Sequence, residues 1–187
     1  MAQSSVWGSS ATPFKLVFFM WLVFYLELMT GFPFSSFGII PWTFRGLIGI
    51  FVAPLLHADL NHLISNTVPL LFLGTVLFFF YARIAGIVFL RCYFLTNLIV
   101  WLFAWRQSNH IGASGLVYGL AFFLIFFGFF RRDFLSVVIS IVILLMYGGV
   151  FYGVLPSDPR ISWESHLAGA LVGIFTAVTY GKNKQVN

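Results

Sequence analysis

Apolar residues run through this chain in long blocks, and the polar residues between them are few. A helix needs about 20 apolar residues to cross the hydrocarbon core of a bilayer. Blocks of that kind predict six spanning helices, over residues 14–31, 60–81, 84–104, 114–130, 134–153 and 165–180. The stretch 41–56 is too apolar for a water-exposed loop, yet Pro41, Arg45 and Pro54 interrupt it. It reads as a re-entrant or interfacial segment, with Trp42 and Phe44 at headgroup level. The expected fold class is therefore an all-α membrane protein, a six-helix bundle with an interfacial segment between the first and second helices.

Composition agrees with that class. Of 187 residues 60% are hydrophobic and 8% charged, against roughly 25% charged in a soluble domain. No polar stretch is long enough for a second domain, so 1–187 reads as a single transmembrane domain with a polar N-terminal tail (1–12) and a basic C-terminal tail (181–187). The tail before the first helix has no early basic residue and no small-residue cleavage site, so the first helix is expected to act as an uncleaved insertion signal. The single cysteine, Cys92, cannot pair within the chain.

The net charge of +5 matters through its distribution rather than its sum, and nucleic acid is not an expected partner. Lys15, Arg83, Arg131, Arg132, Lys182 and Lys184 fall on one side of the predicted bundle, opposed only by Asp133. Arg45, Arg106 and Arg160 fall on the other side, balanced by Asp59, Asp158 and Glu164. Positive residues favour the cytoplasmic side, which places both termini in the cytoplasm. Glu27 and Arg91 lie inside spans and are read as bonding to neighbouring helices or snorkelling.

With that orientation the second, fourth and sixth spans all begin at the outer face, and each carries polar residues in its first turns. His62 and Asn66 are four apart on one helix face. Gly112-Ala113-Ser114-Gly115 opens the next, with Tyr118 four beyond the serine, and Glu164-Ser165-His166 opens the last. Buried polar groups are costly in lipid unless paired, so their common depth points to a site. Gly115 and Gly119 on one helix, and Gly169 and Gly173 on the other, make small-residue faces that allow close approach. That approach would carry His166 to Ser114. A serine becomes a nucleophile when a histidine takes its proton, and His62, the Asn66 amide and the Ser114 N–H are candidate donors to the resulting oxyanion. Tyr118 is placed to stack on His166. Glu164 precedes His166 by two residues and is expected to point elsewhere, which leaves a dyad.

The combination His57-x4-His62-x3-Asn66, Gly112-x-Ser114-Gly115-x2-Tyr118 and His166-x2-Gly169-x3-Gly173 resembles the rhomboid family of intramembrane serine proteases. The resemblance implies a catalytic dyad of Ser114 and His166, oxyanion support from His62 and Asn66, and packing of Tyr118 on the histidine. It further implies cleavage of single-span or multi-span membrane proteins near the outer face, without a cofactor. The family's early Trp-Arg pair is altered, because Thr43 and Phe44 separate Trp42 from Arg45. Size and simplicity suggest a prokaryotic plasma membrane.

Other readings are weaker. His57, His62 and Asp59 lack the His-Glu-x-x-His spacing of a zinc site, so no metal is expected. His57 and His110 read as loop residues. The aromatic runs 78–80 and 122–130 read as lipid-facing or packing residues. A non-catalytic binder or escort of membrane helices would be expected to have lost the serine or the histidine, and a transporter would call for an inverted repeat or a charged path. Gly148, Gly149, Gly153 and Pro156 mark the segment expected to move.

Overall fold

The ends of the predicted spans are set by residues that terminate helices, and most fall within two residues of the sequence reading. The structure, a computed structural model, describes residues 6–105, 108–156 and 162–182. Its helices are α1 (Val6–Thr30), α2 (Phe44–Val52), α3 (Leu60–Phe80), α4 (Ala82–Phe103), α5 (Ser114–Arg131), α6 (Phe134–Tyr147), α7 (Val150–Gly153) and α8 (Trp163–Gly181). Among the charges used for orientation, Arg106, Asp158, Arg160 and Lys184 lie outside the described residues, as do 1–5 and 183–187 of the predicted tails.

Among the described residues four helices, α1, α3, α4 and α5, are long and apolar enough to cross a membrane. The predicted fifth span is broken. Gly148 and Gly149, poor helix formers, end α6 at Tyr147, and α7 follows as a single turn. The 14 residues of α6 extend only about 21 Å. The last helix, α8, begins with Glu164 and His166, which dilute its apolar character.

The first helix starts earlier than its apolar block. Residues from Val6 onward are helical with Pro13 inside, and the Pro13 ring rests where a side chain on Gly74 of α3 would be. Thr75 Oγ1 donates to Ser10 Oγ at 3.1 Å, and Trp21 Nε1 donates to Thr67 Oγ1 at 3.0 Å. These contacts tie α1 to α3 while Phe14, Phe18 and Phe19 face outward, as lipid contact requires.

The interfacial segment is a short helix pinned along α4. Trp101 Nε1 donates to Thr43 O (3.0 Å), Asn97 Nδ2 to Ile50 O (3.0 Å) and Tyr93 Oη to Phe51 O (2.6 Å). Trp42 donates its indole N–H to Leu102 O at 2.7 Å, and Phe44 is 92% exposed. Glu27 bonds to a neighbouring turn: its carboxylate accepts from the N–H and hydroxyl of Ser35 (2.9 and 2.6 Å) and holds the turn Phe34–Phe37. Arg91 lies 5.2 Å over the ring of Tyr180.

The most buried helix is α5, which packs against α3, α4, α6 and α8. Its contact with α8 is backbone to backbone. A Cβ on Gly169 would lie 3.0 Å from the carbonyl carbon of Gly115 and 3.1 Å from the N of Gly119, and one on Gly173 would lie 2.9 Å from Phe123 N. The glycine faces read from the sequence are thus the faces that meet.

Candidate active site

Each half of the site is positioned by the local chemistry of a helix start. Asp59 caps α3 by accepting from His62 N at 2.8 Å, which fixes the turn that presents His62. Asn66, one turn on, donates one Nδ2 hydrogen to His62 O at 2.8 Å, and its second is not taken up by that bond. Gly112 precedes Ser114 with φ +102°, a conformation that side chains disfavour. A Cβ there would also sit 2.5 Å from His62 Nε2, so this glycine lets the imidazole reach the start of α5. Ala113 provides no side-chain cap, which leaves first-turn N–H groups of α5 unbonded at the serine.

His166 is buried on the first turns of α8 and is held from two directions. Its Nδ1 lies 2.9 Å from Gly153 O. A carbonyl only accepts, so Nδ1 carries the hydrogen and Nε2 presents its lone pair. The ring of Tyr118 stacks on the imidazole at 3.9 Å between centroids and 9° between planes. Gly153 in turn has no room for a side chain, because a Cβ would collide with the Tyr118 hydroxyl.

Ser114, His166, His62, Asn66 and Tyr118 line one cavity of about 590 Å³, walled further by Pro69, Tyr147 and Val150. The five residues singled out in the sequence therefore converge from three helices. Gly112 lies beneath His62, and Gly115 and Gly169 sit at the α5–α8 contact beside them. Ser114 and His166 share the cavity without a hydrogen bond between them. A second groove of about 470 Å³, between α5 and α6, is almost wholly apolar and carries no comparable chemistry.

Sequence reasoning placed Gly153 in the segment expected to move and missed its backbone carbonyl as the partner of His166, because a carbonyl leaves no side-chain signal. It also underread His57, which is 3% exposed, with its ring 5.0 Å from that of His62. Burial, with the neighbouring His62 imidazole, lowers the His57 pKa to about 4.

A family model described as the Rhomboid domain matches residues 44–183. Similar proteins include uncharacterised proteins of Mycobacterium bovis and Mycobacterium tuberculosis, each 36% identical over an alignment 182 positions long that covers 89% of this chain and 72% of theirs. An uncharacterised protein of Mycobacterium leprae is 38% identical over an alignment 147 positions long that covers 70% of this chain and 55% of its own.

Proposed function

Because the chain belongs to the rhomboid family and is an integral membrane protein, we propose that it is an intramembrane serine endopeptidase with Ser114 and His166 as its catalytic dyad. The observation that carries this reading is the fixing of His166. Gly153 O takes the Nδ1 hydrogen and Tyr118 stacks on the ring, so Nε2 is left as a base inside the cavity that Ser114 lines.

In the proposed reaction Ser114 Oγ attacks the scissile carbonyl carbon while His166 Nε2 accepts the hydroxyl proton. The carbonyl oxygen becomes an oxyanion facing His62, the free N–H of Asn66 and the N–H groups at the start of α5. Each such donor typically supplies about 3 kcal/mol of barrier reduction. Collapse of the intermediate breaks the C–N bond, and His166 returns the proton to the leaving amine. Water then repeats the sequence on the acyl-enzyme, with His166 as base, and releases Ser114. These steps need no cofactor. The polar lining of the cavity, including Asp59, Ser65 and Asn109, supports entry of water from that end.

The substrates under this reading are single-span or multi-span membrane proteins, cut near the outer face. Six spans with both termini in the cytoplasm fit the charge distribution, with α6 and α7 together forming the fifth span and α8 the sixth. A prokaryotic plasma membrane fits the bacterial relatives.

The test is cleavage of a single-span model substrate by the purified protein in proteoliposomes. Ser114→Ala is expected to abolish cleavage and labelling by a fluorophosphonate. Cleavage that persists in that variant overturns the mechanism.

A further inference from the structure

The four histidines divide unequally. His62 and His166 line the cavity, and His57 lies behind His62. His110 belongs to none of these, although it is only four residues before Ser114 and is 2% exposed. A loop histidine with no role would be expected at the surface, because burying an imidazole requires partners.

Its partners include residues of its own loop and of two remote segments. The main chain of His110 pairs with Ile39 in both directions, His110 N to Ile39 O at 2.8 Å and Ile39 N to His110 O at 2.9 Å. Its Nδ1 is hydrogen-bonded to the hydroxyl of Ser162, the residue immediately before α8, and its Nε2 lies 3.4 Å from Ser108 Oγ. Ser162 Oγ bonds Ser165 Oγ at 2.8 Å, and Ser162 O accepts from Ser165 N (3.0 Å) and His166 N (3.3 Å). Serine hydroxyls rotate to donate or accept, so the chain Ser108–His110–Ser162–Ser165 can be satisfied from end to end. Behind it, a Cβ on Gly115 would meet Ser165 O at 3.1 Å, so the turn that Ser162 anchors is the one touching the residue after Ser114.

We infer that His110 is a positioning residue: through Ser162 it clamps the first turn of α8 to the loop that leads into α5, and so fixes where His166 stands relative to Ser114. This inference rests on the dyad reading above. His110 does not line the cavity and takes no proton from substrate; Ser162, which does line it, transmits the constraint. Packing of Gly115 on Gly169 sets the separation of the two helices, but a glycine contact supplies no side chain to key the rotation of α8 at its first turn. A hydrogen bond from a fixed loop to the first residue of that turn restricts the rotation. The backbone pair with Ile39 fixes the loop in its turn, so the segment before α2 supports the site from outside it.

The experiment compares wild type with His110→Ala, His110→Asn, Ser162→Ala and the His110→Ala/Ser162→Ala pair, using substrate cleavage, fluorophosphonate labelling and thermal unfolding. His110→Ala and Ser162→Ala are each expected to lower kcat about tenfold, the worth of one good hydrogen bond, with KM within about twofold. The double variant should lose no more than the worse single one, since both remove the same link. His110→Asn, which keeps a polar group near the Nδ1 position, should recover most of the rate. Wild-type kcat in His110→Ala, additive losses in the pair, or a change confined to KM would overturn the inference. If His110→Ala does not fold, Ser162→Ala decides alone, and an unchanged kcat there refutes the clamp. Activity surviving Ser114→Ala would instead refute the dyad, so the two failures are separable.

Discussion

Gly169→Ala adds one methyl group at the closest approach of α5 and α8. The new Cβ would lie 3.0 Å from Gly115 C and 3.1 Å from Gly119 N, with Gly115 O nearer still. An unstrained carbon contact is about 3.5 Å or more and the carbonyl oxygen is the nearest atom, so the helices must separate by about 1 Å or more. All three atoms belong to backbone, and no rotamer change relieves them. Overpacking of this kind costs about 1–3 kcal/mol of stability. The catalytic cost should be larger, because Gly169 is one turn from His166 and a shift near 1 Å in a reacting pair costs up to about 100-fold. Gly173→Ala provides the comparison. Its Cβ would be as crowded, 2.9 Å from Phe123 N, but lies seven residues beyond His166, so stability should fall alike while kcat falls less. Gly86→Ala is the control, with nothing within 4 Å of its Cβ. The assay is kcat for a transmembrane substrate beside the unfolding midpoint in the same detergent. If Gly169→Ala matches Gly86→Ala in both, the close contact does not position the dyad and the reasoning is refuted.

Two further outcomes are expected. Gly153→Ala should lower kcat sharply, since its Cβ would strike the Tyr118 hydroxyl; adding Tyr118→Phe removes that atom and should recover part of the rate, whereas no recovery would show that the collision is not the cause. Stability should fall as pH drops from about 6.5 through about 4: His57 has its folded pKa lowered to about 4, so protons bind preferentially to the unfolded chain in that window. The limiting loss is about 3 kcal/mol at low pH, and His57→Gln should flatten the profile of unfolding midpoint against pH; an unchanged slope would refute the assignment.

The sequence by itself determined the class and the location of the helices, because a bilayer leaves a chain little choice. Backbone groups must bond within each segment, and the apolar blocks have to be long enough to cross. It also determined that Ser114, His62, Asn66, Tyr118 and His166 would share a depth, since each stands in the first turns of a helix that begins at the same end. The small-residue spacing of Gly115, Gly169 and Gly173 carried one tertiary contact as well, because only residues without side chains permit backbones to touch.

What the tertiary structure alone decided is how those side chains are held. Gly153 O orients His166, yet a carbonyl is present in every residue and nothing in the sequence marks this one. The break at Gly148 and Gly149 depends on whether neighbouring packing repays the cost of continuing the helix, which local propensity cannot settle. His57 and His110 read as loop residues because loops are ordinarily exposed. Here both are buried, His57 against the ring of His62 and His110 between Ile39 and Ser162, and the partners of His110 are remote in the chain. The serine and the histidine could be read one helix at a time, but the contacts that aim the histidine exist only once α5, α7 and α8 have met.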